Sequence, residues 1–179
     1  FCWSYNGCMP AEKDVVDRIV EAWVQQRLVL YFSPLEVLSR VDRLSRRLDR
    51  ARRAAFQRSD LEPWEWDVLS ALRRAGEPFQ LSPKALLQQT LVSSGTMTNR
   101  IDRLVARRLV QRKSDPVDGR SVLVTLTDDG RIRVDAAITR LVDAEAVLLS
   151  VLTRPERDRL AVLLRRLSLE FDGASGNGA

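Results

Sequence analysis

A chain of 179 residues with a formal net charge of +5 and a pI near 9.8 has room for one domain with a real core, or two small ones, and favours polyanionic partners. Its basic residues are 26 Arg and 3 Lys, it has no His, and its two cysteines are Cys2 and Cys8. That inventory excludes Ser-His and Cys-His nucleophile pairs, histidine-ligated zinc or haem, and all-cysteine zinc, so no catalytic, metal or cofactor site is expected and the chain does not read as an enzyme.

Residues 1–10 read as a leader outside the fold. They lack the basic and apolar regions of a signal peptide, and Met9 reads as the natural start, which makes residues 1–8 an artefact of the gene start or of expression. A Cys2–Cys8 loop is the alternative, but an otherwise thiol-free chain without an export signal reads as cytoplasmic. No apolar run approaches the roughly 20 residues that span a bilayer. A single domain is expected over 11–172, followed by a flexible Gly/Ser/Asn/Ala tail at 173–179.

The first helix is expected over 12–26, where Val15, Val16, Ile19, Val20, Trp23 and Val24 make one stripe at helical spacing. Ser33-Pro34-Leu35-Glu36 reads as a capping box opening a long helix over 34–57. That helix carries Leu38, Val41, Leu44 and Leu48 on one side and a run of arginines on the others. A third helix opens near Pro63 and stops at Gly76. A short helix starts at Ser82-Pro83, and a tight break at 90–93 leads into another from Ser94 to Arg108. Two β-like runs follow, Leu109–Lys113 and Ser121–Thr125, joined by a turn-rich loop. Thr127 caps a long helix to about Leu152, and Thr153-Arg154-Pro155-Glu156 is a second capping box opening a last helix to about Phe171. This order is mainly α (α+β): a winged helix-turn-helix lobe over 60–126, framed by long helices at 34–57 and 128–171 and preceded by an extra N-terminal helix.

The helix at 94–108 turns Met97, Ile101, Leu104 and Val105 inward. Thr96, Asn99, Arg103 and Arg107 share the opposite arc, a composition suited to base edges and phosphates of double-stranded DNA. Residues 84–133 hold ten Lys/Arg against five Asp/Glu, which matches the excess of the whole chain. Arg120 at the hairpin tip suits a minor groove, with Asp118 bracing the arm. The competing readings are a solvated helix face and an ordinary charged hairpin tip.

The runs Ser94-Gly95-Thr96-Met97-Thr98-Asn99-Arg100-Ile101-Asp102-Arg103-Leu104, Asp115-Pro116-Val117-Asp118-Gly119-Arg120 and Leu126-Thr127-Asp128-Asp129-Gly130 resemble the MarR family of bacterial transcriptional regulators. The resemblance implies a homodimer held by the first and last long helices, binding a pseudo-palindromic operator and usually repressing. It implies DNA contacts from Ser94, Thr96, Thr98, Asn99, Arg103, Arg107 and Arg120. Two recognition helices would enter adjacent major grooves about one helical turn apart.

Three residues look unusual: Arg100 borders an apolar stripe, Asp67 stands beside bulky aromatics in Trp64-Glu65-Trp66-Asp67, and Trp23 lies on the extra helix. Together with Arg112 they resemble the urate-responsive PecS/UrtR-like subgroup of the family, which implies ligand contacts from Trp23, Asp67, Arg100 and Arg112. Urate is a planar monoanion near neutral pH, and it calls for a planar cation and an aromatic wall. Three simpler readings compete: Trp23 anchors its helix, Asp67 and Arg100 form a structural ion pair, and Arg112 contacts phosphate. A phenolic or aromatic carboxylate is the alternative effector, and a ligand-independent architectural DNA-coating protein is the alternative function.

Overall fold

A computed structural model describes residues 12–26, 30–90, 93–116, 119 and 121–175. In chain order the elements are α1 (Val15–Gln26), α2 (Ser33–Gln57), α3 (Pro63–Arg74), β1 (Gln80–Leu81), α4 (Pro83–Thr90), α5 (Ser94–Ala106), β2 (Val110–Ser114), β3 (Val122–Leu126), α6 (Asp128–Leu148) and α7 (Arg154–Ser175). The mainly α winged helix-turn-helix read from the sequence is the architecture found. The leader and both charged residues of the hairpin tip, Asp118 and Arg120, lie outside the described residues. Among the described residues no helix is long and apolar enough to cross a membrane.

The chain divides into two compact units between Asp49 and Arg50, inside α2. In the first, Val16 and Val20 lie one turn apart on α1 and are buried. Asp14 accepts from the backbone N–H groups of Val16 (2.7 Å) and Asp17 (3.0 Å), which satisfies donors that the start of α1 leaves open. Arg40 of α2 donates to both Asp14 (3.0 Å) and Asp17 (2.6 Å). The first bonds of α2 run from Leu35 N and Glu36 N to Phe32 O, so Ser33, expected as the cap, is instead the first helical residue.

The second unit is built on a core that includes Phe56, Leu69, Leu72, Leu86, Met97, Ile101, Leu104, Leu109, Val124 and Val134. Its α3 packs on α4, α5 and α6. Pro63 opens α3, and the Glu65 carboxylate accepts from Glu62 N at 2.9 Å, a capping box in which Glu62 takes the place of the usual Ser or Thr. The helix ends through Ala75 into Gly76, whose φ of +76° is the left-handed conformation that glycine takes without penalty.

The wing is a three-stranded antiparallel sheet in the order β1-β3-β2. Its hairpin runs from Val110↔Leu126 to Ser114↔Val122, each strand starting one residue later than expected. The sequence reading missed β1, because two residues have no alternation to read. Thr127 caps α6, accepting from Gly130 N at 3.1 Å while its hydroxyl donates toward Leu109 O and Arg108 O at 2.9 and 2.8 Å. A Cβ on Gly130 would overlap Leu109 O, so the glycine of the Leu-Thr-x-x-Gly run is required by a close backbone approach. Helix α6 ends at Leu148 rather than near Leu152, and α7 continues to Ser175, four residues beyond the expected end. The Thr153 N–H and hydroxyl both donate to the Glu156 carboxylate at 2.7 Å, as the second capping box requires.

Candidate nucleic-acid interface and ligand cleft

Helix α5 is capped by Ser93, whose hydroxyl accepts from Thr96 N at 3.4 Å and lies 2.9 Å from the Thr96 hydroxyl. Its inward face is the expected one: Met97, Ile101 and Leu104 are buried and Val105 packs against the core. Ser94, Thr96, Thr98, Asn99 and Arg103 are exposed on the other side. The Thr98 hydroxyl donates back to Ser94 O at 3.2 Å.

Arg107 departs from this row. It closes the helix as its C-cap, and its guanidinium turns back into the protein. One nitrogen donates to Glu65 at 2.5 Å, and the other reaches Asp60 O at 2.8 Å and the Asp60 carboxylate at 2.7 Å. Glu65 is buried, and this pairing supplies the counter-charge that a buried carboxylate needs. Arg133 of α6 also bonds Asp60, and it reaches Asp129 at 3.2 Å, so one ionic chain ties the end of α5 to α3 and α6. The Arg133 and Arg107 guanidiniums hold the Asp60 carboxyl below the usual carboxylate range. The expected DNA contact Arg107 is therefore a strut that fixes how α5 is presented.

Arg100, between the inward and outward faces of α5, keeps only 20% of its side chain exposed. Its Nη1 stands 4.0 Å from the Asp67 carboxylate of α3, beyond hydrogen-bond distance. Among the described residues that buried nitrogen has no hydrogen-bond partner. Partial burial pushes the Asp67 carboxyl up, against the opposing pull of Arg100 and then Arg74. The Trp64 ring lies beneath two guanidiniums, Arg103 at 4.6 Å and Arg100 at 5.9 Å from its centroid. Such stacking is worth about 0.5–1 kcal/mol at an exposed site. Trp64, Thr96, Asn99, Arg100 and Arg103 line one open cleft of about 290 Å³.

Of the four residues expected to hold a ligand, the structure brings together Asp67 and Arg100. Arg112 lies exposed on the edge strand β2 and pairs with Asp102 of α5 at 2.7 Å. Trp23 lies on α1 in the first compact unit and is half exposed. The sequence reading missed Trp64 as a cleft wall and Glu65 as the anchor of Arg107. The signal for Trp64 was its place three residues before Asp67, one helical turn away on the same face.

The family model for the MarR family matches residues 59–121, the stretch that holds α3, β1, α4, this helix and the first hairpin strand, β2. The chain is 32% identical over 152 residues to the HTH-type transcriptional regulator PecS of Dickeya dadantii, covering 85% of this chain and 92% of that protein. The chain belongs to the MarR family. It is a DNA-binding transcriptional regulator, and such regulators act without catalysis. Among solved structures it is similar to BpsR of Bordetella bronchiseptica, in a study of its regulation by 6-hydroxynicotinic acid. That match has a TM-score of 0.55 and 33% identity, covering 72% of this chain and 92% of BpsR. A cysteine-substituted MarR from E. coli complexed with operator DNA matches with a TM-score of 0.62 and 27% identity, over 77% of this chain and 98% of that one.

Proposed function

We propose that this regulator is a homodimeric repressor that binds a pseudo-palindromic operator in the cytoplasm and is released by a planar aromatic anion, with urate as the first candidate. The observation that carries the reading is Arg100: a guanidinium on the helix that presents Thr96, Asn99 and Arg103, with one buried nitrogen lacking a hydrogen-bond partner among the described residues. A planar anion accepts from both Arg100 nitrogens in a way that Asp67, at 4.0 Å, does not. Trp64 supplies the aromatic wall, and Thr96 and Asn99 supply polar edges. The roles of Trp23 and Arg112 as ligand contacts rest on resemblance to the PecS/UrtR-like subgroup.

On the DNA side, Ser94, Thr96, Thr98, Asn99 and Arg103 face the major groove, and Arg120 of the wing reaches the minor groove. Arg107 serves the same surface indirectly, by holding α5. Release requires that the ligand bind the DNA-free arrangement more tightly, because equal affinity for both would shift nothing. The similarity to BpsR favours a second effector reading, an aromatic carboxylate such as 6-hydroxynicotinate.

The test is equilibrium binding to a labelled duplex covering the region upstream of the protein's own gene, at fixed salt, with urate or 6-hydroxynicotinate titrated in. Release at micromolar to millimolar ligand supports the reading, and the lower midpoint identifies the effector class. Unchanged affinity with both ligands at millimolar concentration overturns the effector claim. Equal affinity for random DNA at the same salt would instead identify an architectural coating protein.

A further inference from the structure

The cleft beside Arg100 is lined in large part by the side chains that face DNA. Thr96, Asn99 and Arg103 belong to both surfaces, and Trp64 is the wall of the cleft. Arg103 is exposed, and among the described residues its partner is the Trp64 ring at 4.6 Å, with no carboxylate paired to it. A long side chain held only by stacking exchanges readily between two resting places.

We propose that Trp64 is the residue that couples the effector to DNA, by holding Arg103 in a retracted position that a bound anion completes. This rests on the effector reading given above. In the retracted state, Arg100 and Arg103 lie over one indole, and of the two only Arg100 has, among the described residues, a carboxylate near it, Asp67 at 4.0 Å. A planar anion that enters the cleft beside the indole meets both guanidiniums. On the duplex, Arg103 leaves the indole for a phosphate or a guanine edge, and the anion loses one of its two cations. Ligand and DNA then compete for the same guanidinium, and each weakens the other by the same factor. Release by this route needs no displacement of α5 as a body.

The experiment compares wild type, W64F, W64L, R103Q and the W64L/R103Q double variant in two assays. One is direct binding of urate and of 6-hydroxynicotinate by calorimetry; the other is DNA affinity with and without each ligand at matched occupancy. W64L, freed of the stack, should bind DNA about two- to fivefold more tightly without ligand. Its loss of DNA affinity at matched ligand occupancy should be at least tenfold smaller than that of wild type. A residue that only supports the fold would give the opposite sign, weaker DNA binding. W64F, which keeps an aromatic face, should retain most of the response, and it carries the test if W64L does not fold. In the R103Q background the W64L substitution should no longer change DNA affinity. Full ligand-driven release by W64L at matched occupancy, or weakened DNA binding by folded W64L, overturns the coupling role while leaving the effector reading intact. Failure of wild type to bind either probe overturns both.

Discussion

Arg103 and Arg107 stand one turn apart on α5, and the wheel drawn from the sequence puts them on one face. What separates them is the partner each finds: Arg103 meets the flat face of Trp64, while Arg107 meets a buried carboxylate. Arg107→Ala strands Glu65 without a counter-charge, and breaking such a pair costs about 3–5 kcal/mol. A thermal melt should show a large fall in Tm for Arg107→Ala, against little change for Arg103→Ala; equal melting of the two would refute the assignment of Arg107 as a strut. Asp60 adds a pH dependence of known sign. Because its folded carboxyl is held below the ordinary range, first by Arg133, the stability it contributes is present above that range and lost as pH falls through the depressed value. Asp60→Asn should therefore flatten the acid limb of a stability-pH curve; an unchanged limb would show that the pairing contributes nothing. Periodicity reports which way a residue points, and the partner comes from tertiary structure. That is why Arg100 was legible as out of place while its neighbour Trp64 was not read as a wall.

At the scale of elements, the sequence was most legible where a cap or a turn forces one solution. The Leu-Thr-x-x-Gly run is such a case: Thr127 binds the end of the α5–β2 turn through Leu109 O, and Gly130 leaves room for that same oxygen. Gly130→Ala pushes a methyl group into backbone, and overpacking of this kind costs about 1–3 kcal/mol or more. Denaturant unfolding should show it as a lower midpoint, and an unshifted midpoint would mean that the turn gives way freely. The start of α2 and the strand β1 were illegible for separate reasons. A helix-start signal at Ser33 does not distinguish cap from first residue when the Phe32 carbonyl already accepts the opening bonds. In β1, two residues are held by pairing with β3 and not by any pattern of their own. Arg120→Ala should weaken DNA binding, lower its salt dependence, and leave ligand binding unchanged; loss of ligand binding as well would contradict the separation of wing and cleft.

For the whole molecule, the long C-terminal helices leave apolar side chains in solvent. Leu160, Leu163, Leu164 and Leu167 on α7 follow the i, i+3, i+4, i+7 pattern of a packing face, and all are exposed in the single chain. The homodimer proposed above would cover that stripe. Replacing Leu163 and Leu167 with Asp should yield a monomer by sedimentation and reduce operator affinity by more than tenfold, since one half-site binds alone; a folded dimer of the double variant would place the interface elsewhere. Within the arginine excess, undifferentiated as a composition, the structure separates individual side chains by use. Arg40 clasps two carboxylates of the first unit, Arg107 and Arg133 brace the recognition helix, and Arg100 and Arg103 remain over one indole at the cleft.

In the proposed function, one helix carries both the DNA-reading side chains and the guanidinium that senses the effector. The most direct test of this is the ligand-release titration of Arg100→Lys beside wild type. Lys keeps the charge but loses the planar fork. The variant should bind the upstream duplex as wild type does and need at least tenfold more urate or 6-hydroxynicotinate for release. The same release midpoint for both proteins would show that Arg100 does not sense the effector.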